Sequence, residues 1–183
     1  MRSYHNCTPK ADWEHCCRCE LSQSRRSVVL RRGGLSNPLT DCNITNNINT
    51  ITGLPLLLLI GERPGTTEDT IGYPFAGESG RILNLYFKYT KTPFYFILTN
   101  TVCCITDKPP SPQEIAACSP HITELLDSYH FNGIIQLGEI ASTVKTKLPT
   151  LQVFHPAYIA RLNYKHLELL KIGRQISSWL KHH

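Results

Sequence analysis

The sequence predicts an α/β fold: a single three-layer α/β/α domain around a central four-stranded parallel sheet. Three observations predict it. Short apolar runs recur at residues 56–60, 94–98, 134–137 and 151–154. Segments with helical spacing or helix-start signals separate them. Two of the runs end on glycine, at Gly61 and Gly138. Strands alternating with helices favour a parallel sheet covered on both faces.

The elements follow in order. Residues 56–60 (Leu-Leu-Leu-Leu-Ile) form a continuous apolar run, as expected of a strand buried on both sides. Residues 79–90 carry Ile82, Leu83, Tyr86 and Phe87 on one helical side. Residues 94–98 are aromatic and β-branched, hence a second strand. Ser111-Pro112-Gln113-Glu114 is a capping box with proline at the first helical position. The helix it opens breaks or restarts near Pro120 and ends near Tyr129. Residues 134–137 and 151–154 are the third and fourth strands, with a short helix over 139–148 between them. Residues 164–180 place Leu169, Ile172, Ile176 and Trp179 at helical spacing, a core-facing stripe. In such sheets ligands bind beyond the carboxyl ends of the strands. Residues 61–65, Thr99-Asn100 and His155-Pro156 fall there.

Length and composition bound the function. A chain of 183 residues with 41% hydrophobic and 18% charged content suits one domain, residues 1–183. Within it, residues 1–33 form a cysteine-rich then basic segment, and residues 34–53 an Asn/Thr-rich polar loop. The longest apolar run, 54–60, is too short to cross a bilayer, which takes about 20 residues. The first residues lack the apolar core of a secretory signal. A membrane role is therefore not expected, and an intracellular location, cytoplasmic or nucleoid-associated, is. The net charge of +5 permits a polyanionic partner without establishing one. The chain carries 8 cysteines. In a reducing compartment, cysteine clusters more often hold a metal than form disulfides.

One segment is dense in glycine and proline: Gly61-Glu62-Arg63-Pro64-Gly65, then Glu68-Asp69, then Gly72-Tyr73-Pro74-Phe75-Ala76-Gly77, then Gly80. By itself it is a loop leaving a strand, with backbone N–H groups exposed and one aromatic displayed. Such loops cradle anions or planar ligands, or merely connect elements. It is neither a Walker loop nor a dinucleotide fingerprint. It resembles motif one of the family 4 uracil-DNA glycosylases, iron–sulfur enzymes of the uracil-DNA glycosylase superfamily. Three further blocks match in order. Cys16-x-x-Cys19-x-Leu21 with Arg25 resembles the first cysteine pair; residues 100–104 with 112–118 resemble the second. Leu137-Gly138 and His155-Pro156-Ala157-Tyr158 with Arg161 resemble the closing strand and motif two.

The resemblance implies DNA as partner, uracil as target base, and a monofunctional hydrolase of base excision repair acting as a monomer. It implies Cys16, Cys19, Cys104 and Cys118 as ligands of a 4Fe–4S cluster. Spacing alone leaves the cluster and a zinc site on the same ligands similarly open, with reduced buried thiols as a further plain reading. It implies that Phe75 stacks on the extruded base, Asn100 reads its edge, and His155 donates to its carbonyl oxygen. Glu62 orients or activates water and offsets sugar charge. Arg161 meets phosphate, and Arg25, Arg26, Arg31 and Arg32 are further phosphate candidates. Read singly, these residues have plainer explanations: a strand-end Asn, a structural His, a surface Glu and a solvated basic face. A Phe between Pro74 and Gly77 in a polar loop makes a poor core residue.

The chain departs from the family at named places. Arg63 replaces a small residue beside Glu62, so it crowds the pocket or binds substrate or phosphate. Ala76 stands for Val, and residues 105–109 lack the usual Arg-Pro-Pro. No histidine lies between Cys104 and Cys118, so no covalent DNA adduct is expected. Two other readings stand beside the glycosylase. One is a relative acting on another modified base. The other is a non-catalytic, cluster- or zinc-bearing nucleic-acid binding module.

Overall fold

The computed structural model describes residues 53–162 and 166–183, together with the backbone of 31–33. Five strands form one sheet in the order β1-β3-β2-β4-β5. They are β1 (Arg31–Gly33), β2 (Leu56–Gly61), β3 (Tyr95–Asn100), β4 (Gly133–Leu137) and β5 (Thr150–Val153). The four central and right-hand strands run parallel, as predicted; β1 adds an antiparallel edge, pairing Arg31 with Leu98 and Gly33 with Phe96. Three residues joined by backbone hydrogen bonds carry no periodicity, so this edge was not visible in the sequence.

The alternation of side chains along β2 divides the core into two layers. Leu57 and Leu59 face one layer, with Ile82, Leu83, Tyr86 and Phe87 of α2 (Glu78–Tyr89) and Leu169, Ile172 and Ile176 of α6 (His166–Leu180). Leu56, Leu58 and Ile60 face the other, with Ile122 and Leu125 of α4 (Pro120–Ser128) and Ala141. Every residue of β2 is buried, which explains the unbroken apolar run.

The break expected near Pro120 is real. α3 (Pro112–Cys118) opens with the Ser111 capping box, in which Ser111 N–H donates to Glu114 Oε2 at 2.6 Å and Glu114 N–H to Ser111 Oγ at 3.3 Å. Pro120 then begins α4 without an N–H to extend α3. The helix expected over 139–148 contracts to a 3-10 turn, Ile140–Thr143. Two short helices arise that the sequence reading did not assign: α1 (Thr66–Ile71), within the segment read as a loop, and α5 (Pro156–Arg161). Both are under two turns long, too short for a hydrophobic repeat to register. They stand at the carboxyl ends of β2 and β5, and so flank the open end of the sheet.

Candidate active site

The ends of β2 and β3 are bolted together. Thr101 N–H and its hydroxyl both donate to Gly61 O, each at 2.9 Å, and Val102 N–H donates to Glu62 O at 3.0 Å. This sets Glu62 and Asn100 side by side at the sheet's carboxyl edge.

The glycine-rich segment is held by a residue whose structural role its motif did not reveal. The buried Glu68 carboxylate accepts from Gly65 N–H at 3.0 Å and Gly77 N–H at 2.8 Å, one oxygen to each end of the loop. Charge-assisted bonds of this kind are the stronger class. Gly80 completes the clamp, since a Cβ there would lie 1.9 Å from the carbonyl oxygen of Phe75. The loop therefore packs down onto α2, and Phe75 is only 5% exposed and part of the core. This corrects the expectation that a Phe in a polar loop is a poor core residue. Its backbone takes φ 54°, a left-handed conformation that costs a non-glycine residue roughly 1–2 kcal/mol. Strain of this sort concentrates at ligand-gripping positions.

Glu62, Arg63, Phe75, Asn100, His155 and Arg161 all line one cavity of about 240 Å³. The six catalytic, substrate and DNA positions expected from the sequence are thus brought together. Three of them present buried polar atoms with no hydrogen-bond partner among the described residues: Arg63 Nε, Asn100 Oδ1 and His155 Nε2. A buried polar atom left unpaired costs about 1–3 kcal/mol, which a ligand supplying the missing partner recovers.

The state of His155 follows from its neighbours. As N-cap of α5, it accepts Ala157 N–H on Nδ1 at 3.1 Å. In the neutral ring the proton then sits on Nε2, which becomes a donor. Burial, with the positive charges of Arg161 and Arg63, pulls its pKa down to about 4. The ring is neutral at physiological pH and lies 5.8 Å from that of Phe75. Arg63 Nε stands 3.5 Å from Glu62 Oε1, so the residue foreign to the family's pattern pairs with the acidic one beside it.

Of the four cysteines expected as cluster ligands, Cys104 and Cys118 are among the described residues. Cys16 and Cys19 lie outside them, as do Cys7, Cys17, Cys42, Arg25 and Arg26; Arg31 and Arg32 are described as backbone alone. Cys104 is buried and Cys118 half-buried. Cys103, Cys118 and His121 bring their donor atoms within 4.8 Å of one another. Cys103 N–H donates to Cys118 Sγ at 3.3 Å, and Cys103 Sγ lies 3.4 Å from His121 Nε2. The Cys103 thiol hydrogen bond holds the Cys118 pKa well below the thiol range, with His121 assisting against burial.

His121 was not singled out in the sequence. Its Nε2 lies 3.0 Å from Asn100 O, and its Nδ1 faces Cys118 O. These two carbonyls favour a proton on each nitrogen, while Nε2 also has Thr99 Oγ1 at 3.3 Å and Cys103 Sγ at 3.4 Å beside it. Burial opposes the resulting positive charge, but the bonds and charge of Cys118 raise the pKa. His121 thus ties the cysteine cluster to the backbone of Asn100. The donor set as a whole is soft and thiol-rich, which fits iron–sulfur or zinc chemistry.

A profile of the uracil DNA glycosylase superfamily matches residues 53–173, well over half of the chain. A Type-4 uracil-DNA glycosylase of Archaeoglobus fulgidus is 26% identical over 166 residues, 88% of this chain and 72% of that protein. One from Pyrobaculum aerophilum is 31% identical over 139 residues, 74% and 61% respectively. One from Saccharolobus solfataricus is 35% identical over 88 residues, 45% of this chain and 40% of its own length, so the chain spans under half of that relative. The matched stretch of the profile carries the glycine-rich loop, Asn100 and the His155 motif that converge on the cavity, and on this footing the chain belongs to the uracil DNA glycosylase superfamily.

Proposed function

We propose that the chain is a monofunctional uracil-DNA glycosylase, which hydrolyses the N-glycosidic bond of uracil in DNA and leaves an abasic site. The observation that carries this reading is the pair of buried atoms without partners among the described residues, Asn100 Oδ1 and His155 Nε2, in a cavity walled by Phe75. One is an acceptor and the other a donor, and uracil presents N3–H beside carbonyl oxygens. Cytosine lacks the N3–H, so Asn100 Oδ1 would face a lone pair and reject it.

Once the base is drawn out of the stack, Phe75 supplies its stacking plane. As the bond from N1 to C1′ breaks, negative charge spreads onto the uracil carbonyl oxygens. His155 Nε2–H donates to the one that gains charge most, and does so from a preorganised, water-poor position. Arg63 and Arg161 add positive potential to the same cavity. Glu62 stands at the rim to orient the attacking water and offset charge on the sugar. The water oxygen bonds to C1′, and its proton balances the departing uracil anion. DNA as partner, Arg161 as a phosphate contact, action as a monomer and an intracellular location belong to the same proposal. No helix among the described residues is long and apolar enough to cross a membrane.

The test is release of free base from oligonucleotides carrying uracil, hypoxanthine or 5-hydroxymethyluracil, single- and double-stranded. Uracil is expected. Release of another base instead moves the chain to the divergent reading, and DNA binding with no release makes it a binding module.

We also propose that a 4Fe–4S cluster is held by Cys16, Cys19, Cys104 and Cys118, with zinc as the lesser alternative. The thiol-rich donor set around Cys118 and the sequence resemblance support this. When bound, the cluster supplies a structural clasp rather than redox chemistry. Purified protein is expected to contain iron and acid-labile sulfide in equal amounts. Cys104→Ser should lose both while Cys103→Ser retains them. Retention by Cys104→Ser and loss by Cys103→Ser shifts the ligand register by one residue, and zinc without sulfide overturns the cluster.

A further inference from the structure

Among the described residues the large exposed hydrophobics are Ile71, Phe154, Tyr158 and Leu167. Single apolar residues on a surface need no explanation. Two of these four are different, because they touch. The rings of Phe154 and Tyr158 lie 5.2 Å apart, tilted by 30°, while remaining 54% and 42% exposed. They flank His155, and Tyr158 shares α5 with Ala157 and Arg161, which line the cavity.

The backbone beneath them is anchored. The buried Tyr86 hydroxyl donates to Phe154 O at 3.2 Å. The His155 cap fixes the start of α5, and Pro156 and Ile159 are buried beneath it. The rings are thus presented to solvent from an anchored base, on the segment that also carries His155, Ala157 and Arg161 of the cavity wall, while the cavity's own aromatic, Phe75, is turned inward. Arg161 stands three residues beyond Tyr158, and Arg63 lines the same cavity. An apolar, flat, π-rich pair on the same segment as a cavity arginine matches a nucleic-acid strand, which pairs a π-face with a phosphate at every nucleotide. A second copy of the chain would bring its own arginines against these.

We propose that Phe154 and Tyr158, in mutual contact on the segment that carries His155, Ala157 and Arg161 of the cavity wall, form a stacking platform for the nucleobase adjoining the one drawn into the cavity. This rests on the glycosylase reading above. The platform holds the strand in register while the neighbouring nucleotide is extruded, and it lends affinity without sequence preference, since every base offers a π-face. Its contribution lies in binding the strand, not in the bond-breaking step.

The experiment uses the full chain and two probes. The first is a short uracil-containing single strand, for turnover. The second is an uncleavable strand with a reduced abasic site next to 2-aminopurine, for affinity and fluorescence. Phe154→Ala and Tyr158→Leu should each raise KM on the first probe and weaken binding of the second by roughly tenfold. Both should leave kcat and inhibition by free uracil unchanged. Tyr158→Phe, which keeps the ring, should behave as wild type, as should Leu167→Ala. Wild-type protein should quench 2-aminopurine, and the ring-removing variants should not.

Unchanged KM, affinity and quenching overturn the platform. So does weakened uracil inhibition in parallel with KM, which assigns the effect to the cavity, or a change in oligomeric state, which assigns the rings to a protein contact. If wild type releases no uracil, the glycosylase reading fails, while the second probe still decides whether the rings stack on a base.

Discussion

His155→Ala is expected to lower single-turnover uracil release by roughly 10²–10³-fold, the loss typical of removing one preorganised donor to a developing anion. The variant deletes Nε2, the donor with no partner among the described residues, so strand affinity should change far less than rate. The pH profile gives an independent reading. An unperturbed histidine titrates near 6.5, and a donor that must be neutral or must be charged would show a limb there. In this protein, burial and the two arginines depress the pKa to about 4. The wild-type rate should therefore show no His155 limb around pH 6.5, and the ring gains its proton only near 4. Folding is linked to the same shift. Between about 6.5 and 4 the unfolded chain binds a proton that the folded His155 refuses, so stability falls as pH falls through that window. His155→Ala should flatten this part of the stability curve. An unaltered single-turnover rate in the variant would remove His155 from the chemistry.

Gly61→Ala is expected to cost roughly 10²-fold in kcat/KM, on the scale of an ångström's misplacement of the catalytic groups. A Cβ at Gly61 would lie 2.5 Å from Asn100 Oδ1 and 2.7 Å from the edge of the Phe75 ring. These are the two side chains assigned to read and stack the base, and both are buried, so neither can swing away freely. The added methyl must displace one of them. Overpacking of this kind costs about 1–3 kcal/mol in stability, so the variant should still fold and its loss should appear in catalysis. Thermal unfolding and base release measured on the same preparation separate the two. A folded variant with wild-type kcat/KM would show that Asn100 and Phe75 do not form the base slot.

Both arguments depend on packing that strings of residue types do not display. Asn100, standing alone in the sequence, is an ordinary strand-end amide. Its carbonyl oxygen becomes informative only because Gly61, Phe75 and His155 arrive around it from distant parts of the chain and leave it buried with no partner among the described residues. Phe75 shows the opposite failure. Its polar neighbours argued against burial, yet Glu68 and Gly80 clamp the loop and press the ring into the core. Glu68 itself was legible as part of a motif but not as the clamp, because its two partners are backbone N–H groups three and nine residues away, which have no side-chain signature. His121 likewise joins Cys118 to Asn100 through carbonyl oxygens, which every residue has.

By itself the sequence determined the layered α/β architecture, the four parallel strands and most helix positions, because hydrophobic periodicity and capping are local properties of the chain. It also determined the family, through motifs whose spacing survives divergence. Only the tertiary structure decided that six motif residues share one cavity, that His155 is a neutral donor through Nε2, and that Arg63 pairs with Glu62. The antiparallel edge strand and the exposed Phe154–Tyr158 pair belong to the same class. Protonation, burial and orientation are set by what surrounds a group in space, and residues tens of positions apart become neighbours only when the sheet has brought its carboxyl ends together.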